Sequence, residues 1–393
     1  MRIGFVSTYP PIECGIATYT QYLHSALRNI GNETFVMSQY GAQGDHVFPV
    51  FRSGGRAFAT DVFATSTKMT PDLIHIQHEY GLYGEQRGVG VIDLILRYRL
   101  AGIPVVITLH TVGETLKPDE HLILKHIFDE TSAVIVHEDF QRETLLRYFG
   151  EMKHAANKIH VIEHGIRQTS PIPDAKRKLD LEGKKVILLC GYFRPSKGFH
   201  KIVDIFPRIA EQEPDAILVV AGKTRTIEFD EYRRDFFKKL NESPAADRIT
   251  ILRGQFPEYT FDTIVSAADV VVLPYALGAQ SGILSQCFAH GVPVVTSALP
   301  AFQRMISHSH GGLVAEKDED YARLILELLR REDLRAELQS NIRNYVGQAS
   351  WTQIAEKHLE VYRSLITTPY GKARYVYFPE PDDGDGSRGR AGS

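Results

Sequence analysis

Cysteine is scarce in this chain: Cys14, Cys190 and Cys287 stand far apart and match no zinc or disulfide spacing. Such thiols behave as small hydrophobes in a reducing compartment, so a disulfide-stapled scaffold is excluded and a cytoplasmic protein is expected. An excess of one charge is also missing. The formal net charge is -3, whereas a nucleic-acid-binding domain carries a clear basic surplus, so no nucleic-acid partner is expected. No apolar run approaches the length needed to cross a bilayer. The apolar stretch at the N-terminus meets Pro10-Pro11 almost at once, and it reads as a strand, not as a signal peptide. A soluble protein is expected, with peripheral contact at a membrane surface left open.

What remains is ordinary globular material in an amount too large for one domain: 393 residues, 43% hydrophobic and 24% charged. Short Val/Ile/Leu runs alternate with helix-like segments along most of the chain. Strands are expected at Ile3–Ser7, Thr34–Ser38, Leu73–Gln77, Val105–Leu109, Ala133–Val136 and Ile159–Ile162, and again at Val186–Cys190, Ile217–Ala221, Ile249–Leu252, Val270–Leu273 and Val294–Thr296. Helical spacing shows at Val91, Ile92, Ile95 and Leu96, and more clearly at Tyr321, Leu324, Ile325, Leu328 and Leu329. Near-continuous apolar strands between helices imply parallel sheets covered on both faces. The rhythm occurs twice. The fold class expected is therefore α/β, two Rossmann-like doubly wound domains facing across a cleft, covering 1–165 and 166–350. The break falls where Pro171 and Pro173 precede a charge-rich stretch ending at Lys185. A last amphipathic helix is expected over 351–366, and the Gly/Asp/Arg/Ser-rich tail 381–393 reads as disordered.

Ligands of open parallel sheets bind beyond the carboxyl ends of the strands, so chemistry is sought there. After the first strand, Pro10 and Pro11 hold a loop extended before Gly15 opens a helix whose free amides suit an anion. Histidines close four strands of the first half: His78 with Glu79, His110, His137 with Glu138, and His164. Singly, each fits a structural histidine; together they suggest a polar mouth. A zinc site at His75 and His78 lacks a closed ligand set, and no metal is expected. In the second half, Arg194 and Lys197 lie three apart on a turn before a helix, where they could grip a diphosphate or simply be solvated. Ser281, Gly282 and Ile283 start another helix whose amides could aim into the cleft or merely be capped.

The Lys197-Gly198 turn, the Ala289-His290-Gly291-Val292-Pro293-Val294-Val295 segment and His164-Gly165, in that spacing, resemble the family 4 retaining glycosyltransferases of GT-B fold. The resemblance spans nearly the whole chain. It implies a nucleotide-diphosphate sugar held mainly by the C-terminal domain, and a sugar or other hydroxyl acceptor held by the N-terminal one. It also implies retention of anomeric configuration, no essential metal or cofactor, and a terminal helix that crosses back. On this pattern Arg194 and Lys197 would neutralise the leaving diphosphate and His110 would contact the transferred hexose. Gly15, Ser281, Gly282, Ile283 and Gln286 would complete the donor site, and His78, Glu79 and Glu114 would shape the acceptor pocket. The leaving phosphate itself would deprotonate the acceptor hydroxyl on the same face. Two positions depart from the family. Tyr192 stands where an arginine is usual, and Gly278 and Gln286 replace a pair of glutamates. Metal-dependent sugar transferases of the other common fold need an Asp-x-Asp at a strand end; Asp318-Glu319-Asp320 and Asp383-Gly384-Asp385 are not so placed. A nucleotide-sugar epimerase or sugar phosphorylase on the same fold, or a non-catalytic nucleotide-sugar-binding protein, are the alternatives.

Overall fold

The structure is a computed structural model that describes residues 1–152, 155–223, 229–277 and 282–366. The first sheet comprises β1 (Arg2–Val6), β2 (Glu33–Gln39), β3 (Val47–Phe51), β4 (Leu73–His78), β5 (Val105–Leu109), β6 (Ala133–Val136) and β7 (Ile159–Val161). All neighbours run parallel, in the order β3-β2-β1-β4-β5-β6-β7. The second comprises β8 (Lys185–Tyr192), β9 (Ala216–Lys223), β10 (Ile249–Arg253), β11 (Val270–Leu273), β12 (Val294–Ser297) and β13 (Gly312–Ala315). It is also parallel, in the order β10-β9-β8-β11-β12-β13. Strand order reverses between β1 and β4 in one sheet and between β8 and β11 in the other. Crevices open at those reversals because the helices that follow leave to opposite faces.

The central strands are buried along their length, as continuous apolar runs require when helices cover both faces. Two strands carry no such signal, and both are edges. β3 contains Pro49, tolerated because an edge strand leaves one row of N–H groups unpaired, and β13 starts at Gly312. In the helix Gly90–Leu100 the inward face is Val91, Leu94, Ile95 and Tyr98, while Leu96 is exposed; the expected stripe was turned by one position. Tyr321, Leu324, Ile325, Leu328 and Leu329 all face inward, as their spacing indicates.

The chain passes between the two sheets twice, and the passages touch. Ile166 donates its N–H to the carbonyl of Ala349 at 2.8 Å and bridges to Ser350. Beyond Ser350, whose hydroxyl caps the helix Trp351–Leu365, the chain lies on the first sheet. There Ile354, Ala355, Leu359 and Tyr362 share a core with Tyr19, Leu23, Val106 and Ile135. Gly165 permits the close passage: a Cβ there would meet the Trp351 indole at 2.5 Å. The tail from 367 onward lies outside the described residues. Among the described residues, no helix is long and apolar enough to cross a membrane.

Candidate active site

A cleft of about 1260 Å³ lies between the two sheets, lined from both sides by the strand ends at the reversals. On the C-terminal wall the chain leaves β8 and makes a single 3-10 turn, Pro195–Lys197, before the helix Phe199–Gln212. Gly198 joins them with φ 64°, and a Cβ on it would collide with the carbonyl of Pro274, so only glycine fits. A second tie, Ala276 N–H to Ser196 carbonyl at 2.9 Å, locks this turn to the segment after β11. Arg194 and Lys197 are thereby held at the cleft, and both line it.

Neither cation has an acidic partner among the described residues. Lys197 Nζ sits 3.5 Å over the ring of Tyr275. Burial, then the Arg194 charge beside it, lowers its ammonium to about 8. Arg194 keeps a buried Nε without a hydrogen-bond partner. Tyr192, at the position where an arginine is usual, lies under two cations, Arg194 and Lys223, each 5.8 Å from its ring centre. Lys223 reaches across the cleft to Glu13 at 2.5 Å, and Arg304 reaches Glu138 at 3.4 Å.

Two helix starts also face the cleft. Gly15 follows an extended Cys14 that offers no side-chain cap, and a Cβ on Gly15 would meet nothing within 4 Å. The same openness holds at Gly282, where the helix Gly282–Ala289 begins. At Gly15, uncapped first-turn amides beside open space make a receptive place for anionic oxygens. Ile283 and Gln286 line the cleft from that helix; Ser281 and Gly278 lie outside the described residues.

Gln286 has a protein partner that the sequence did not disclose. Its carbonyl faces Arg167 Nη2 at 3.4 Å, and Arg167 also pairs with Glu258 and with Asp262 at 2.5 Å. Asp262 in turn lies 3.0 Å from His290 Nε2. Burial keeps His290 below its ordinary pKa against the opposing pull of Asp262. Arg167 follows the His164-Gly165 pair by two residues, and that proximity was the one available cue.

The N-terminal wall is built from rings. Tyr19 is ringed by His110, His164 and Trp351, with centroids at 4.9, 5.2 and 5.1 Å, and Trp351 in turn leans on Tyr22. Burial holds the imidazoles uncharged: His110 well below its ordinary value, His137 at about 3, and His164 lowered. His110, His137 and His164 line the cleft, as does Glu79, which accepts from the Thr111 hydroxyl at 2.5 Å and from the Tyr80 N–H. His78 and Glu114 do not line it. His78 is 1% exposed, the last inward residue of β4, packed edge-on against Tyr80. Glu114 lies exposed beyond β5, its carbonyl held by Arg147. His75 is engaged by Thr108 within the sheet and by Tyr362 of the terminal helix. Among the described residues no cluster of three or more His, Cys, Asp or Glu is arranged to hold a metal, and Asp318 and Asp320 pair with Lys201 and Arg323 instead.

This architecture is shared with solved structures. Anabaena HepE in complex with UDP and glucose superposes with a TM-score of 0.68 at 16% identity, covering 93% of this chain and 100% of that one. A glycosyltransferase from Rickettsia africae gives 0.72 at 16% identity, covering 93% and 99%. The fold is GT-B. Residues 14–169 match the family described as Glycosyltransferase Family 4, and residues 171–345 match Glycosyl transferases group 1. Phosphatidyl-myo-inositol mannosyltransferase of Mycolicibacterium smegmatis is 24% identical over 93% of this chain and 94% of its own. The D-inositol 3-phosphate glycosyltransferase of Corynebacterium urealyticum is 25% identical over 65% of this chain and 62% of its own. The chain belongs to the family 4 glycosyltransferases.

Proposed function

We propose that this glycosyltransferase moves a hexose from a UDP- or GDP-hexose to a hydroxyl-bearing acceptor, with retained anomeric configuration and without metal or other cofactor. The observation that carries the reading is the pair Arg194 and Lys197, two cations facing the cleft from one rigid turn with no carboxylate of the described residues on either. A departing nucleotide diphosphate gains negative charge in the transition state, and preorganised charges in a desolvated site stabilise that change. Lys197 supplies a point charge and Arg194 a fork, with the amides at Gly15 and Gly282 completing the shell. Gln286 meets the ribose, and the hexose rests near His110. The N-terminal wall, with Glu79 at its edge, takes the acceptor; the inositol-type acceptors named for the two relatives support a polyhydroxylated one. A leaving-phosphate oxygen receives the acceptor proton on the face from which it departs, so no side-chain base is required.

The test is thermal unfolding with UDP-, GDP- and ADP-hexoses, followed by product analysis with an acceptor panel. One donor class should raise the melting temperature, because a ligand that binds only the native state stabilises it. Absence of protection by every sugar nucleotide would remove the reading. Conversion of the sugar nucleotide with no acceptor present would replace it with an epimerase.

A further inference from the structure

Beneath the cleft, the polar side chains of the first sheet form one continuous line. The hydroxyl of Tyr362 lies 2.7 Å from His75 Nδ1. His75 Nε2 is 2.8 Å from Thr108 Oγ1 and 3.2 Å from the amide of Gln77. As placed, that contact is through the amide nitrogen, and the amide oxygen is 2.8 Å from His110 Nε2; His110 Nδ1 is 3.3 Å from His137 Nε2. His137 Nδ1 ends the line, 2.9 Å from the carbonyl of Ile162. Among the described residues, no carboxylate is hydrogen-bonded to His75, His110 or His137. The titratable groups around the line are Tyr19, His78, His164 and His358. Burial raises the Tyr19 phenol and lowers the three imidazoles, His78 and His358 to about 4.

Donors and acceptors in this line can be counted from its ends. A carbonyl only accepts, so His137 carries its proton on Nδ1, and as a neutral ring it has a bare Nε2. His110 Nδ1 must then donate to it, which leaves His110 Nε2 bare. Only the amide nitrogen of Gln77 can satisfy that atom, so the amide presents its NH2 to His110 and its oxygen to His75, a half-turn about one bond. His75 then donates from Nε2, to Gln77 and Thr108, and accepts at Nδ1 from the Tyr362 O–H. Every ring nitrogen in the line then faces a partner of the opposite kind. The opposite polarity sets two bare nitrogens against each other at His110 and His137 and leaves the Tyr362 proton without an acceptor in a buried place, a costly arrangement.

We infer that this chain fixes His110 as an uncharged ring of one tautomer, Nδ1–H, with His137 and Gln77 as its positioning residues and with His75 and Tyr362 as the far end of the same line. Both ring nitrogens of His110 are committed to the protein. The ring therefore meets the hexose in one fixed orientation and one protonation state. That last consequence rests on the proposed hexose transfer; the tautomer chain does not.

The experiment is a long-range proton–nitrogen correlation spectrum of the full chain with 15N-labelled histidine at neutral pH, assigned by single-histidine substitutions. His110 and His137 should each be protonated on Nδ1 alone, and His75 on Nε2 alone. His110 protonated on Nε2, or doubly protonated, overturns the inference. In His137→Phe, the His110 proton should move to Nε2, where the Gln77 oxygen can turn to accept it; an unchanged His110 pattern also overturns it. Tyr362→Phe should mix the His75 tautomers and leave His110 alone. A silent His75 removes Tyr362 from the chain. In His137→Phe, kcat should fall about ten-fold with donor KM within about two-fold. If the spectra change as stated and kcat does not, the chain stands and the hexose contact of His110 falls.

Discussion

The two walls of the cleft differ in what their polar groups already bind. On the C-terminal wall Arg194 and Lys197 are held in place by backbone ties and an aromatic face, yet their charges meet no counter-ion among the described residues. On the N-terminal wall the histidines are neutral, and those beneath His110 are bonded to one another and to the backbone. A site for a dianion keeps its charge available. A site for neutral hydroxyls can keep its own polar groups satisfied and offer shape.

The comparison breaks most visibly at Lys197. Lys197→Ala should lower kcat on the order of a hundredfold while the melting temperature changes little, because the lost contact is made in the transition state. A solvated lysine would move neither quantity. Its ammonium titrates at about 8, so nucleotide-diphosphate affinity should weaken as pH rises through that value, and the dependence should vanish in Lys197→Ala. Stability carries the opposite sign. Between about 8 and the ordinary 10.5 the unfolded chain holds this proton more tightly than the folded one, so the free wild-type protein should gain stability with rising pH relative to Lys197→Ala. Denaturant titrations across that window check it.

On the N-terminal side the largest effect should be on folding. Gly165→Ala drives a methyl into the Trp351 indole and should cost about 1–3 kcal/mol, read from a denaturation midpoint. Gln286→Leu should raise donor KM roughly ten-fold with the fold intact, since ribose and Arg167 both lose a partner. Equal donor KM for Gln, Glu and Leu at 286 would displace the ribose from that helix. The smallest effect belongs to Glu13→Gln. The pair with Lys223 is partly exposed and should contribute under about 1 kcal/mol, detectable as a slight shift in small-angle scattering of the free protein at low salt.

How much of this was legible in the sequence follows the range of each interaction. The inner strands announce themselves because burial on both faces demands unbroken Val/Ile/Leu runs. β3 and β13 do not, because an edge tolerates Pro49 and a short strand beginning at Gly312. The residues at strand ends were findable, since topology puts them at the reversals; Arg194, Lys197, His110 and Gln286 do line the cleft. His78 sits at the same kind of position but points inward, and a strand end alone does not reveal on which side of the pleat its last side chain lies. Arg167 with Asp262, Glu13 with Lys223, and Glu138 with Arg304 join residues far apart in the chain. No local pattern encodes such pairs. Even the aromatic floor depends on Trp351, which reaches the first sheet only after the chain has returned from the second.

That return has a mechanical meaning. A single covalent crossing would act as a swivel, leaving one half free to twist or tilt in any direction about the other. Here the outgoing strand at Ile166 and the incoming one at Ala349–Ser350 are hydrogen-bonded side by side, and Gly165 lies against the indole that anchors the second. Two pins in one short bar permit rocking about the bar and resist torsion across it. The halves of this enzyme should therefore open like a book, with Arg194 and Lys197 retracing one arc toward the imidazole wall at each closure.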